Sequence, residues 1–111
     1  MDLDLITAAA GRLRGHARET PLLNSPFLDE IAGRPIWVKA ECLQHTGSFK
    51  YRGAFAAISA LSEAQRRKGV LAFSSGNHAQ GVALAAKQHD TSALIIMPGD
   101  APRLKINHTK A

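Results

Sequence analysis

At 111 residues the chain has the size of one ordinary domain, and its 45% hydrophobic and 21% charged residues are typical of a globular protein. Its formal net charge of +5 suggests nucleic-acid binding, but the basic residues are scattered apart from residues 66–68, and an aromatic content of 5% leaves no base-stacking platform. No apolar run is long enough to span a membrane, the N-terminus lacks the basic region of a signal peptide, and the single Cys42 excludes an internal disulfide and is typical of a reducing compartment. We therefore expect a cytoplasmic protein that binds neither nucleic acid nor membranes.

The N-terminal region predicts one helix followed by an extended segment. Asp2 or Asp4 can cap the helix, and Gly15 is its predicted end. Its apolar face is formed by Ile6, Ala9, Ala10 and Leu13. Residues 20–23 are expected to be extended, because the residue before Pro21 disfavours the helical region.

The middle of the chain predicts a short helix, a strand and a long helix. The short helix covers residues 27–31 and ends near Gly33. Residues 36–41 predict a strand, because side chains alternate between its two faces: one face carries Ile36, Val38 and Ala40, and the other carries Trp37, Lys39 and Glu41. One continuous helix is then expected from residue 48 or 49 to residue 67, and Gly69 ends it. The apolar stripe of this helix comprises Phe55, Ile58 and Leu61 or Ser62.

The remaining residues predict strands over 70–73 and 93–97, with a helix over 77–89 between them. A last helix opens near residues 100–102, where a proline is tolerated in the first turn. Because strands alternate with helices, the pattern predicts an α/β fold of right-handed βαβ units around a parallel sheet.

One lysine is placed for covalent chemistry within residues 46–54, TGSFKYRGA. Lys50 lies at the predicted start of the long helix, where the positive end of the helix dipole disfavours a second positive charge and favours the free amine. A free lysine amine can form an imine with a carbonyl cofactor, which is a known form of covalent catalysis.

A second motif lies at residues 74–81, SSGNHAQG, between a predicted strand and a predicted helix. This arrangement places backbone N–H groups where an anion can bind, and Gly76 lets the backbone approach a ligand closely. Asn77 is also a good helix cap.

Together the two motifs resemble those of the fold-type II pyridoxal-phosphate (PLP) enzymes, most closely the threonine/serine dehydratases and serine racemases. The resemblance covers nearly the whole chain, including residues 20–22, 39–44 and 97–102. It implies an α/β fold that is the incomplete N-terminal part of the tryptophan synthase β-like fold, with residues 1–52 in the large PLP-binding domain and residues 53–111 in the small α/β domain. Since chains of this family are much longer, we expect an N-terminal fragment of a homo-oligomeric enzyme, with a stand-alone minimal domain as the alternative.

The resemblance also implies a role for each motif residue. Lys50 would bind PLP covalently and act as the catalytic base on the substrate Cα–H, and Asn77 would hydrogen-bond the ring hydroxyl of the cofactor. Phe49 would pack beside the cofactor, with a plain core position as the alternative. The substrate carboxylate would bind to Ser74, Ser75, Gly76, Asn77 and His78. Ser75 also matches the catalytic serine that serves the opposite face in racemases.

Other residues near the motifs keep two interpretations. The hydroxyls of Thr46 and Ser48 either contact the ligand or shape the turn, and Arg52 either contacts phosphate or pairs within the fold. His78 is expected to be structural and not a general base. The other four histidines show no metal-ligand spacing, so no metal is expected.

The expected reaction is therefore α,β-elimination from threonine or serine, a small amino-acid substrate, giving a 2-oxo acid and ammonia with PLP as the cofactor. We expect the fragment alone to bind PLP weakly and to show little activity. Three alternatives stay open: a serine racemase or other fold-type II enzyme, an inert truncated gene product without catalysis, and a nucleic-acid-binding module suggested by charge alone.

Overall fold

In the computed structural model, which describes residues 2–110, helices alternate with short strands along the chain. The helices are α1 (Leu3–Leu13), α2 (Pro26–Ala32), α3 (Lys50–Ser59), α4 (Glu63–Arg66), α5 (Asn77–Gln88) and α6 (Arg103–Lys110). The strands are β1 (Leu22–Asn24), β2 (Trp37–Lys39), β3 (Val70–Phe73) and β4 (Ala93–Ile96). Two 3₁₀ turns, Glu41–Leu43 and His45–Gly47, connect β2 to α3. Within residues 2–110, no helix has both the length and the apolar character needed to cross a membrane.

The predicted βαβ unit is present in the C-terminal half of the chain. Strands β3 and β4 pair in parallel, with Val70 opposite Ala93 and Phe73 opposite Ile96. Helix α5 connects them, and it begins and ends within one residue of the predicted limits. The sequence therefore predicted this unit correctly, because its strands and its helix carry strong local signals.

The first strand pair corrects the prediction of one parallel sheet, because β1 and β2 form a separate antiparallel pair. The Asn24 side chain donates to the carbonyl oxygen of Ile36 at 2.9 Å and to the Asp29 carboxylate at 3.0 Å. The same carboxylate accepts the Ile36 N–H at 2.7 Å. These bonds hold the start of β2 beside the end of β1, which is the geometry of an antiparallel pair. Strand β2 is also shorter than predicted, because Glu41 belongs to a 3₁₀ turn.

The single helix predicted between residue 48 or 49 and residue 67 is wrong, since α3 ends at Ser59 and α4 begins at Glu63. Ser62 starts the second helix with a capping box. Its hydroxyl accepts the Gln65 N–H at 3.3 Å, and the Gln65 side-chain oxygen accepts the Ser62 N–H at 2.8 Å. A serine with a glutamine three residues later is a helix-start signal, and it overrides the apolar stripe that suggested continuity.

The core lies between α3 and α5. It contains Tyr51, Ala54, Phe55 and Ile58 from α3 and Val82, Ala85 and Ala86 from α5. The predicted stripe is confirmed at Phe55 and Ile58, which are both buried. The Phe55 ring lies between two imidazoles, stacked on His16 and tilted against His89, with both ring centroids 4.7 Å away. The Tyr51 hydroxyl donates to the Gln88 side chain at 2.8 Å, and burial raises the pKa of this tyrosine.

The N-terminal helix α1 is confirmed with its cap, because the Asp2 carboxylate accepts the Asp4 N–H at 3.1 Å. Helix α2 is also confirmed, and it ends at Gly33 in the left-handed conformation, with φ at 66°. Leu13 of α1 packs against the α3–α5 core. The N-terminal helix therefore supports the same core that positions the two sequence motifs.

Candidate active site

The starts of α3 and α5 meet, and this contact brings the two sequence motifs together. Lys50 is the first residue of α3, and Asn77 is the first residue of α5. A methyl group added at Gly81 would lie 3.1 Å from both the carbonyl carbon of Lys50 and the amide nitrogen of Tyr51. Gly81 follows Asn77 by one helical turn, which is about 6 Å along the axis. The backbone of Lys50 thus lies about one turn from Asn77.

The amine of Lys50 is accessible beside an aromatic ring. Lys50 is exposed, and its Nζ lies 5.0 Å from the centroid of the Phe49 ring. Phe49 is 59% exposed, so the alternative of a plain core position for this residue is wrong. A cation over an aromatic face is a favourable contact that keeps the two side chains together. The pair therefore presents an accessible lysine Nζ beside a flat apolar surface.

The loop after β3 leads into α5 with unused backbone donors. The first intrahelical bond runs from the Gln80 N–H to the Gly76 carbonyl oxygen at 3.2 Å. The N–H groups of the three residues before Gln80 therefore have no acceptor within the helix, as at any helix start. Ser75, Asn77 and His78 are exposed here. These donors and the helix dipole suit a carboxylate.

Ser74 and Asn77 have roles in the loop that differ from those expected of a ligand contact and a helix cap. The Ser74 hydroxyl accepts the Gly76 N–H at 3.2 Å, so this side chain stabilises the conformation of the loop. Gly76, and not Asn77, occupies the cap position of α5, and Asn77 makes no capping bond. The alternative role of Asn77 as a helix cap is therefore wrong, and its side chain is left for other partners.

Two buried hydroxyls lie just before Lys50. Within residues 2–110, Thr46 Oγ1 and Ser48 Oγ are buried without a hydrogen-bond partner. Their hydroxyls therefore do not hold the turn by hydrogen bonding; Gln44 does so, since its side-chain oxygen accepts the His45 N–H at 3.0 Å. A buried hydroxyl without a partner costs free energy, and a ligand atom that bonds it recovers that loss.

Arg52 serves the fold. Its Nε and Nη2 each lie 2.8 Å from an oxygen of the Glu41 carboxylate. The hydrogen bond and charge of Arg52, together with a bond from Thr20, lower the pKa of Glu41 to about 2 against the cost of burial. Of the two interpretations of Arg52, pairing within the fold is the correct one. The pair joins α3 to the turn that follows β2.

The histidines have structural contacts. No group of three metal-ligating side chains occurs in the part of the chain that the structure describes. The His45 ring packs edge-on against Tyr51 at 4.8 Å and contacts the carbonyl oxygen of His16 at 3.1 Å. The rings of His16 and His89 pack against Phe55 of the core. Together with His45, three of the five histidines thus have structural contacts that need no ligand.

Sequence reasoning missed Gly81 and Lys105. Gly81 lies within an alanine-rich helix, and a glycine there is a signal for close packing that could have been used. Lys105 of α6 contacts Asn77 Oδ1 through its Nζ, although an isolated helix lysine carries no sequence signal. Gly81 allows the backbone of Lys50 to lie close to α5, and Lys105 contacts the Asn77 side chain.

These features define an α/β protein in which the helix that begins with the exposed Lys50 packs against α5, whose first N–H groups have no acceptor within the helix. Residues 13–111 match the family model described as "Pyridoxal-phosphate dependent enzyme". The L-threo-3-hydroxyaspartate ammonia-lyase of Pseudomonas sp is 53% identical, over 95% of this chain and 33% of its own length. The L-threonine ammonia-lyase of Thermotoga maritima is 48% identical, over 97% of this chain and 27% of its own length. The structure of maize serine racemase matches with a TM-score of 0.93 and 42% identity, over 98% of this chain and 33% of that chain.

The chain belongs to the pyridoxal-phosphate dependent enzyme family, and its α/β fold matches the N-terminal part of fold-type II members. It spans about a third of the length of the curated relatives it matches. The predictions of the family, the fold class and PLP as the cofactor are confirmed. The similar proteins include both lyases and a racemase, so they establish the cofactor class and not one reaction.

The described residues fit PLP. The aldehyde of the cofactor needs an accessible amine, which Lys50 has, and its ring needs a flat apolar neighbour, which Phe49 provides. Asn77 can bond the ring oxygen, and the unpartnered hydroxyls of Thr46 and Ser48 can bond further polar atoms. Gly81 lets the first turn of α3 pack directly against α5, so the backbone of Lys50 lies about one helical turn from Asn77.

Proposed function

We propose that this chain supplies the PLP-binding lysine and the carboxylate-binding loop of an ammonia-lyase. Its substrates would be small β-hydroxy amino acids such as threonine or serine, and its products a 2-oxo acid and ammonia. The contact of α3 with α5 at Gly81 carries the proposal, because it unites an accessible amine with an anion-binding helix start. Similarity to a hydroxyaspartate lyase and a threonine lyase supports elimination of a β-hydroxyl.

Different residues would bind the cofactor, transfer the proton and hold the substrate carboxylate. Lys50 Nζ would hold the cofactor and, once released, take the proton from the substrate Cα. PLP, when bound, supplies an electron sink for the charge left on that carbon. The N–H groups of Asn77 and His78 would hold the substrate carboxylate, and the Asn77 amide would donate to the ring oxygen. Phe49 would limit movement of the ring.

A racemase is the second candidate, and Ser75 is the observation that favours it. Its side chain is exposed in the loop beside Asn77, where the resemblance implies a proton carrier on the opposite face. The match to maize serine racemase supports the same alternative. Product analysis with L-serine separates the two, since a 2-oxo acid with ammonia indicates elimination and D-serine indicates racemisation.

The cofactor site is tested by titrating the purified chain with PLP, reducing with borohydride and mapping the adduct by mass spectrometry. We expect the adduct on Lys50 and its loss in Lys50→Ala. Lys68→Ala is the matched control, because Lys68 is also exposed but lies after α4. An adduct that persists in Lys50→Ala, or one spread evenly over surface lysines, would refute the assignment of Lys50.

The division of the chain near residue 52 and the homo-oligomeric state stay predictions. The same holds for the roles of Ser74 to His78 toward the substrate carboxylate.

A further inference from the structure

Lys105 crosses from α6 to the start of α5. A methyl group added at Gly76 would lie 3.2 Å from Lys105 Cδ and 3.3 Å from its Nζ, so the lysine stem covers this glycine. The ammonium at the end of the stem contacts Asn77 Oδ1. Lys105 is half-buried, whereas Asn77 is exposed. The lysine therefore lies over the cap residue and holds the first side chain of the helix.

The contact has a chemical direction. An ammonium group only donates hydrogen bonds, so the atom of Asn77 that faces Lys105 is the carbonyl oxygen. The amide NH₂ group must then point to the other side. Without a charged neighbour, the two ends of an asparagine amide have similar shapes, and either can face a ligand.

We propose that Lys105 is a positioning residue that selects the amide orientation of Asn77. It binds the oxygen, and so leaves the N–H donors for the acceptor oxygen on the ring of PLP. The part that concerns PLP rests on the proposed function, but the pairing of Lys105 with Asn77 does not. Gly76 leaves room for the lysine stem, because even a methyl group there would make Lys105 shift by a few tenths of an ångström.

The orientation can be measured without cofactor by NMR of the chain with ¹⁵N-labelled asparagine. The side-chain NH₂ signals of Asn77 are assigned by their loss in Asn77→Ser. Lys105→Met should shift these signals, because the orientation preference is lost. Lys105→Glu should shift one of them strongly downfield, because a carboxylate accepts the N–H and inverts the amide. The matched control is Lys110→Met, which changes an exposed lysine of the same helix and should leave the signals in place.

PLP binding gives the second readout. We expect Lys105→Met to weaken PLP binding by about three- to tenfold, as for loss of one ordinary hydrogen bond, and Lys105→Glu to weaken it further. Lys105→Arg keeps a cationic donor and should restore most of the affinity. Gly76→Ala should weaken binding in the wild-type background and have a smaller effect in Lys105→Ala, because the side-chain atoms that the added methyl group meets are then absent.

Unchanged Asn77 signals in both Lys105→Met and Lys105→Glu would overturn the proposal. So would PLP binding that falls equally in Lys105→Glu and Lys105→Arg, since their effects on the amide should be opposite. If the unsubstituted chain forms no adduct on Lys50, the proposed function fails. The NMR signals would still decide whether Lys105 orients Asn77.

Discussion

Gly81→Ala is the sharpest test of how the two motifs are held together. The new methyl group would lie 3.1 Å from two backbone atoms of α3, so the first turn of that helix must shift by a few tenths of an ångström. One of these atoms is the amide nitrogen of Tyr51, whose side chain is fully buried, so this part of α3 cannot move independently of the core. Overpacking of this kind costs about 1–3 kcal/mol, and the better helix propensity of alanine returns up to about 1 kcal/mol. We expect a net loss of about 1–2 kcal/mol in the free energy of unfolding.

The assay is urea denaturation of the chain followed by circular dichroism, with the yield of the Lys50 adduct as a second measurement. Gly53→Ala is the matched control, since Gly53 is a mid-helix glycine of α3 with no atom within 4 Å of an added methyl group. That variant should gain up to about 1 kcal/mol. If Gly81→Ala gains stability as Gly53→Ala does, α3 and α5 are not packed as closely as argued.

Two further predictions concern pH. Glu41→Gln removes the pair with Arg52, and the lowered pKa of Glu41, about 2 instead of 4.5, corresponds to about 3 kcal/mol before solvent screening and about 2 kcal/mol after it. This stability is present above pH 4.5 and is lost as pH falls through about 2, so urea midpoints of wild type and Glu41→Gln should converge over that range. Burial, with Arg66 and His16 nearby, lowers the pKa of His89 from its ordinary 6.5, so stability should fall as pH drops below 6.5 toward that lower pKa. His89→Leu should flatten this dependence in denaturation measured between about pH 7 and pH 5, and an unchanged slope would count against His89 as its source.

The parts of the fold that the sequence predicted well are those with strong local signals. Helix α5 follows a glycine and carries regular alanines, and β3 and β4 are short apolar runs bounded by turn residues. The direction of β2 could not be predicted in the same way. It depends on Asn24 and Asp29 both bonding Ile36, and such contacts between polar side chains and a distant backbone leave no periodic pattern.

The same distinction applies to the candidate site. Lys50 and Asn77 were predicted as site residues because both lie in short motifs that resemble those of the fold-type II PLP enzymes. The distance between them is a property of helix packing, and it depends on the absence of a side chain at Gly81. Lys105 had no signal of its own, since a lysine on a helix is normally solvated, and its role arises only when α6 packs on α5.

The start of α3 shows how the fold separates two charges that are close in sequence. Successive helix residues are rotated by about 100°, so Lys50 and Arg52 point about 160° apart around the helix. Arg52 faces the turn after β2 and binds Glu41 in a bidentate pair, whereas Lys50 is exposed beside Phe49. The pairing removes Arg52 as a competitor for an anionic ligand and fixes the helix that carries Lys50. Substitutions of Arg52 should therefore act through stability and those of Lys50 through cofactor binding, although the two residues share one helical turn.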